Sequence, residues 1–120
     1  MITEEQAQDF ANDWVASWNE HDLDRIMAHY DSDVEYYSMF LLKLTDNETG
    51  MLRGKDKVKE YLSKSLAAYP DLHFKLINVF VGVASITLHY ESVNKLIAAE
   101  VFEINDKGLA NRVQCHYYQS

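Results

Sequence analysis

A chain of 120 residues that is 48% apolar, with four glycines and one proline, has the size and composition of one ordered domain, and no Ser/Gly/Pro-rich linker or internal repeat divides residues 1–120. Its formal net charge of −8 leaves no basic stripe for a phosphate backbone, which argues against nucleic acid as a partner. No run approaches the roughly 20 apolar residues of a membrane helix, and Met1-Ile2-Thr3-Glu4 lacks the basic and apolar regions of a secretory signal; with Cys115 as the single cysteine, a reducing cytoplasm is the expected location and no membrane contact is expected.

In chain order, Thr3 and Gln6 have the form of a capping box, and Ala7, Phe10, Ala11, Trp14 and Trp18 recur at helical spacing, predicting a first helix with an aromatic face. It stops near Asn19-Glu20-His21, and Asp22 is placed to cap a shorter helix carrying Leu23, Ile26, Met27 and Tyr30. Asp31-Ser32-Asp33 reads as a turn and Val34 to Phe40 as a strand, followed by the polar loop Thr45 to Gly50, which could fold over a pocket mouth. The Asn47-Glu48-Thr49 sequon reads as coincidence in a chain without a secretory route. Lys55 to Tyr69 carries Val58, Tyr61, Leu62, Leu66 and Tyr69 at helical spacing, with Pro70 as its stop and Lys55, Lys57, Lys59 and Lys64 on a solvated face.

From Leu72 onward the chain reads as strands: Val79–Val83, Ser85–Val93, Leu96–Ile104 and Leu109–Tyr118, rich in β-branched and aromatic residues. Helices followed by a run of strands predict an α+β fold, three helices in the N-terminal half packed on a strongly curved antiparallel sheet.

This element order, together with Trp18-Asn19-Glu20-His21-Asp22-Leu23, Leu52-Arg53-Gly54-Lys55 and Ala98-Ala99-Glu100-Val101-Phe102-Glu103, resembles the nuclear transport factor 2-like superfamily and, within it, the SnoaL-like proteins. The resemblance covers nearly the whole chain. It implies a cone in which a bent sheet wraps around helices and leaves a cavity, with the outer face of the sheet used for homodimerisation. Ketosteroid isomerases, polyketide cyclases and epoxide hydrolases share this cone with non-catalytic carriers and assembly domains, so the fold alone does not choose an activity.

Glu100 is the sharpest candidate for chemistry. Alternation puts Leu96, Ala98, Glu100 and Phe102 on one face of a strand and Ile97, Ala99, Val101 and Glu103 on the other, both largely apolar. A carboxyl buried there has a raised pKa and suits cofactor-free proton transfer near neutral pH. The alternative is a structural acid, hydrogen-bonded to a neighbouring backbone or tyrosine or paired with His89 or Arg112. By resemblance to ketosteroid isomerases, Glu100 lines up with an acid that donates a hydrogen bond to the developing oxyanion. That family's proton-abstracting aspartate falls on Ser38 and its oxyanion-hole tyrosine on Trp14, so the isomerase chemistry does not carry over whole. The last strand has no acid to match the SnoaL-type cyclases.

His89 is the candidate dyad partner if a two-residue loop, Asn94-Lys95, pairs it with Glu100. A three-residue loop, Val93-Asn94-Lys95, instead pairs Leu88 with Glu100 and turns His89 outward; hydrophobic burial of Ile86, Leu88 and Tyr90 favours this second register. In the last strand Val113, Cys115 and Tyr117 form the more apolar face and are expected inside, with Cys115 a core residue because nothing supplies an activating base. Trp14, Trp18, Tyr30, Tyr36, Tyr61, Phe80, Phe102 and Tyr117 would wall a cavity for a small apolar or cyclic molecule, or else fill the core outright. The dispersed His21, His29, His73, His89 and His116 give no metal spacing, Gly54-Lys55 is no phosphate loop, and no cofactor is expected.

Overall fold

The computed structural model describes residues 1–119. Helix α1 (Glu4–Asn19) opens with the capping box: Thr3 Oγ1 accepts from Gln6 N at 3.1 Å, and Gln6 Oε1 accepts from Thr3 N at 2.9 Å. Its Ala7, Ala11, Trp14 and Trp18 are buried. The Trp-Asn-x-His-Asp-Leu word then ties the corner after α1 to a distant part of the chain. Asn19 exchanges two hydrogen bonds with the backbone of Phe74, Nδ2 to the carbonyl at 2.9 Å and Oδ1 from the amide at 2.7 Å. His21 Nε2 lies 2.9 Å from the Leu72 carbonyl, and Asp22 caps helix α2 (Leu23–Met27) by accepting from Arg25 N at 3.2 Å.

Helix α2 ends at Met27, so Tyr30, expected on its apolar stripe, instead opens strand β1 (Tyr30–Tyr37), which also takes in the expected turn Asp31-Ser32-Asp33. Tyr30 pairs with Ala110 and Glu35 with Arg112, so the polar Asp31-Ser32-Asp33 occupies an irregularity in the ladder, which is why its turn composition does not end the strand. The strand also stops earlier than expected. Ser38 Oγ accepts from Phe40 N at 3.2 Å and starts a short helix, α3 (Met39–Leu44), so the expected strand through Phe40 ends at Tyr37 and a fourth helix joins the expected three. Asn47 then folds the polar loop on itself, its Oδ1 accepting from Thr49 N at 3.0 Å and Gly50 N at 2.7 Å.

Strand β2 (Met51–Arg53) pairs with β1 and leads through Gly54, at φ 97, into α4 (Lys55–Ala68), which buries Val58 and Leu62. Only glycine tolerates that φ without strain, which accounts for its place between Arg53 and Lys55. Then follow β3 (Lys75–Val81), which starts ahead of the expected Val79, β4 (Ser85–Glu91), β5 (Leu96–Ile104) and β6 (Ala110–Gln119).

The six strands form one curved sheet in the order β2-β1-β6-β5-β4-β3, antiparallel except for the parallel β1–β6 pair, with the helices against its inner face. Trp14 sits at the centre of the core, its ring stacked 5.8 Å from Phe74 and edge-on to Tyr90 at 5.4 Å and Phe102 at 5.3 Å. Truncating such a ring to alanine costs about 3–5 kcal/mol. Among the described residues no helix is long and apolar enough to cross a membrane.

Candidate functional site

The register beside Glu100 is set by the β4–β5 hairpin. Ser92 N donates to the Leu96 carbonyl at 2.7 Å, closing the loop Val93–Lys95 with Asn94 and Lys95 at positive φ. Leu88 is therefore opposite Glu100, and His89 is opposite Ala99. His89 thus lies on the outer face, where its Nδ1 is 3.2 Å from Asn78 Nδ2, and it does not meet Glu100. The burial of Ile86, Leu88 and Tyr90 decides this, since the other register would expose all three. Arg112 is no partner either: it reaches Glu103 at 3.7 Å and covers the Tyr37 ring on the outer face.

Glu100 is 3% exposed. Tyr90, its diagonal neighbour on β4, donates its hydroxyl to Glu100 Oε1 at 2.7 Å, and Cys115 faces it directly across β5–β6. Burial pushes the Glu100 carboxyl up to about 7, against the lowering effect of the hydrogen bonds from Tyr90 and Cys115. The same burial raises the Tyr90, Tyr36 and Cys115 groups well above their ordinary values, so these remain protonated while Glu100 titrates. Near neutral pH the carboxyl is divided between its acid and its base forms, and it can therefore give or take a proton.

Glu100 lines a cavity of about 230 Å³ between the open end of the sheet, α3 and α4. Of the residues expected to wall it, Trp18, Tyr36, Tyr61 and Tyr117 do so together with Glu100. The others go elsewhere. Trp14 and Tyr30 are buried beneath it, joined by a bond from Trp14 Nε1 to the Tyr30 hydroxyl at 3.1 Å. Phe102 and Val113 are fully buried core residues. Cys115 is partly buried in the wall behind Glu100, and Ser38 is spent on capping α3. Phe80 is 55% exposed and paired with Thr87 on the outer face, because its β3 position has the wrong parity for the interior. Among the described residues no cluster of His, Cys, Asp or Glu is placed to hold a metal ion.

Four contributors are not expected in these roles from the sequence. Phe40 and Leu44 line the cavity from α3, a helix that lies between the expected strand end at Phe40 and the expected loop from Thr45, so α3 and not the polar loop after it borders the opening. Phe74 does so from the approach to β3, where the Asn19 bonds hold its backbone. Tyr90 was expected inside but not as the partner of Glu100; its offset of two from Leu88 on the same strand face is the signal that could have found it.

The cone now has named relatives. A SnoaL-like protein of unknown function from Burkholderia thailandensis superposes with a TM-score of 0.94 at 35% identity, over 99% of this chain and 100% of that one. A cystatin-like-fold protein of unknown function from Methylobium petroleophilum (TM-score 0.76, 14% identity, 99% of this chain, 80% of that one) shares the fold. So does SalBIII, an epoxide hydrolase/cyclase-like enzyme in pyran ring formation in the polyether salinomycin (0.76, 14%, 99% and 95%). A search of the curated proteins returns no match. The SnoaL-like domain family matches residues 11–116, and with the Burkholderia relative this establishes that the chain belongs to the SnoaL-like family.

Proposed function

We propose that the protein binds a small, largely apolar or cyclic molecule in this cavity and carries out cofactor-free acid–base chemistry on it through Glu100, of the isomerase, cyclase or hydrolase type. One observation carries the reading: the carboxylate lining an aromatic cavity is buried, bonded to a tyrosine hydroxyl and poised to about 7. Perturbed acids concentrate at sites of chemistry. The salinomycin enzyme of the same fold, described as epoxide hydrolase/cyclase-like, supports the reaction class. Glu100 acts without His89, which is on the other face. The proposal includes a cytoplasmic location, a reducing setting that suits a single cysteine, Cys115.

The test is a thermal-shift screen of cyclic ketones, lactones, steroids and polyketide-like aromatics, followed by turnover assays on the hits. A ligand at 100 times its Kd adds about 2.7 kcal/mol and raises the melting temperature by several degrees. Glu100→Gln is expected to lower turnover by about 100-fold or more. Full turnover in the variant would remove Glu100 from the mechanism. Binding without turnover in the wild type would leave the other member of this class, a non-catalytic ligand-binding or assembly module.

A homodimer through the outer sheet face belongs to the same proposal. Ile97, Ala99 and Val101 are only partly buried there, flanked by Phe80 at 55% and Tyr118 at 68% exposure. Light scattering is expected to give a dimer mass that Val101→Glu converts to a monomer; a monomeric wild type at high concentration would contradict it.

A further inference from the structure

The side chains of the cavity also constrain the charge of what enters it. Among the described residues that line it there is no lysine, arginine or histidine, and Glu100 is the one carboxylate. An anion would enter beside a like charge with no counter-charge, which burial makes costly. A neutral molecule would leave the ionised form of Glu100 supported by hydrogen bonds alone.

The walls favour the remaining class. Trp18 and Phe74 are 5.1 Å apart by ring centroid, Phe74 and Tyr90 are 4.8 Å apart, and Tyr36 and Tyr61 are 6.0 Å apart. All five rings line the cavity with Glu100. Aromatic rings attract a cation through their quadrupole, more strongly where water is excluded, and they bury its alkyl substituents at the same time. The net charge of −8 draws cations toward the molecule as a whole.

Building on the reading of the cavity as a small-molecule site, we propose that its ligand is a cationic amine, a tertiary or quaternary alkylammonium, held among these rings with the Glu100 carboxylate as its counter-ion. The positive charge supplies the counter-charge that Glu100 lacks among the described residues. Binding then draws Glu100 into its ionised form and releases a proton below about pH 7. The titratable groups around Glu100 do not compete: Tyr90 on β4, Cys115 and Tyr117 on β6, Tyr30 and Tyr36 on β1 and Tyr61 on α4 are all raised by burial and stay protonated in this range.

The experiment is calorimetry with choline and with its neutral isostere 3,3-dimethylbutan-1-ol, on the wild type, Glu100→Gln and Tyr61→Leu. Choline is expected to bind the wild type at least about tenfold more tightly than the isostere at pH 8 and to lose about tenfold in affinity at pH 6 as Glu100 protonates. Glu100→Gln is expected to abolish the preference, and Tyr61→Leu to weaken choline several-fold while sparing the isostere. Should Glu100→Gln fail to fold, the wild-type ratio and its pH dependence decide alone. Equal binding of the two probes, or no choline binding where neutral cyclic ligands from the screen do bind, overturns the cationic ligand and leaves the small-molecule reading intact. If no probe, charged or neutral, binds the folded wild type, both fall together.

Discussion

Asp13 and Glu100 are two carboxylates held by short hydrogen bonds in one small domain, and they keep different company. Asp13 has a cation, Arg25 Nη2 at 2.6 Å, and His29 Nε2 lies 2.8 Å from its other oxygen. The hydrogen bond from Arg25 holds its carboxyl below the ordinary value, and it stays half in water. Among the described residues Glu100 has none, only the Tyr90 hydroxyl and the Cys115 thiol, and desolvation dominates. The Asp13 carboxylate is thus fixed in one charge state and fastens α1 to α2, whereas Glu100 is free to change state where a ligand could feel it. An acid paired with its cation at the surface reads as architecture, and one buried without a cation as a candidate for chemistry.

The sharpest way to break this comparison is Glu100→Gln. Because the folded value of Glu100 is raised from 4.5 to about 7, its contribution to stability is fully present below pH 4.5 and is lost as pH rises through 7. That loss is about 3 kcal/mol at most. Urea denaturation is expected to show the wild type and the variant alike at pH 4.5 and the variant more stable by up to that amount at pH 8; parallel curves across the range would show that burial of this acid carries no such cost.

A smaller effect is expected from Tyr90→Phe. The tyrosine hydroxyl favours the ionised carboxylate, so removing it should move the Glu100 titration upward by about one further unit, read by carboxyl NMR. An unchanged midpoint would mean that this bond does not discriminate between the charge states. Asp13→Asn acts on the other side of the comparison. Exposed pairs contribute little, so calorimetry at pH 7 is expected to show a fall in melting temperature of no more than about 4 °C. A carboxyl with a lowered pKa loses its contribution as pH falls, so the gap should close toward pH 3; a gap that widened there would refute the ion-pair reading. The smallest effect is that of His89→Ala, which on the outer face should leave the Glu100 midpoint where it is.

Much of this was legible from residues alone. Alternation on β5 put Glu100 on one face with Leu96, Ala98 and Phe102, and the apolar Ile86, Leu88 and Tyr90 favoured the observed hairpin register, because a slip by one residue would have exposed all three. The Trp-Asn-x-His-Asp-Leu word identified the fold, although its work in binding the Leu72 and Phe74 backbone shows only in three dimensions. Met39 to Leu44 was not legible: a short apolar run suits strand or helix alike, and the Ser38 cap settles it. Nor could type alone sort the aromatics, since Trp14 and Trp18 share a helix face yet one fills the core while the other borders the cavity.

The most direct measurement is a carbon-13 NMR titration of the glutamate side-chain carboxyls from pH 4 to pH 9, with the Glu100 resonance assigned by its absence in Glu100→Gln. Glu100 is expected to show a midpoint near 7, set apart from the other glutamates. A Glu100 midpoint at or below 4.5, its ordinary value, would contradict the claim that burial has poised this acid for proton transfer.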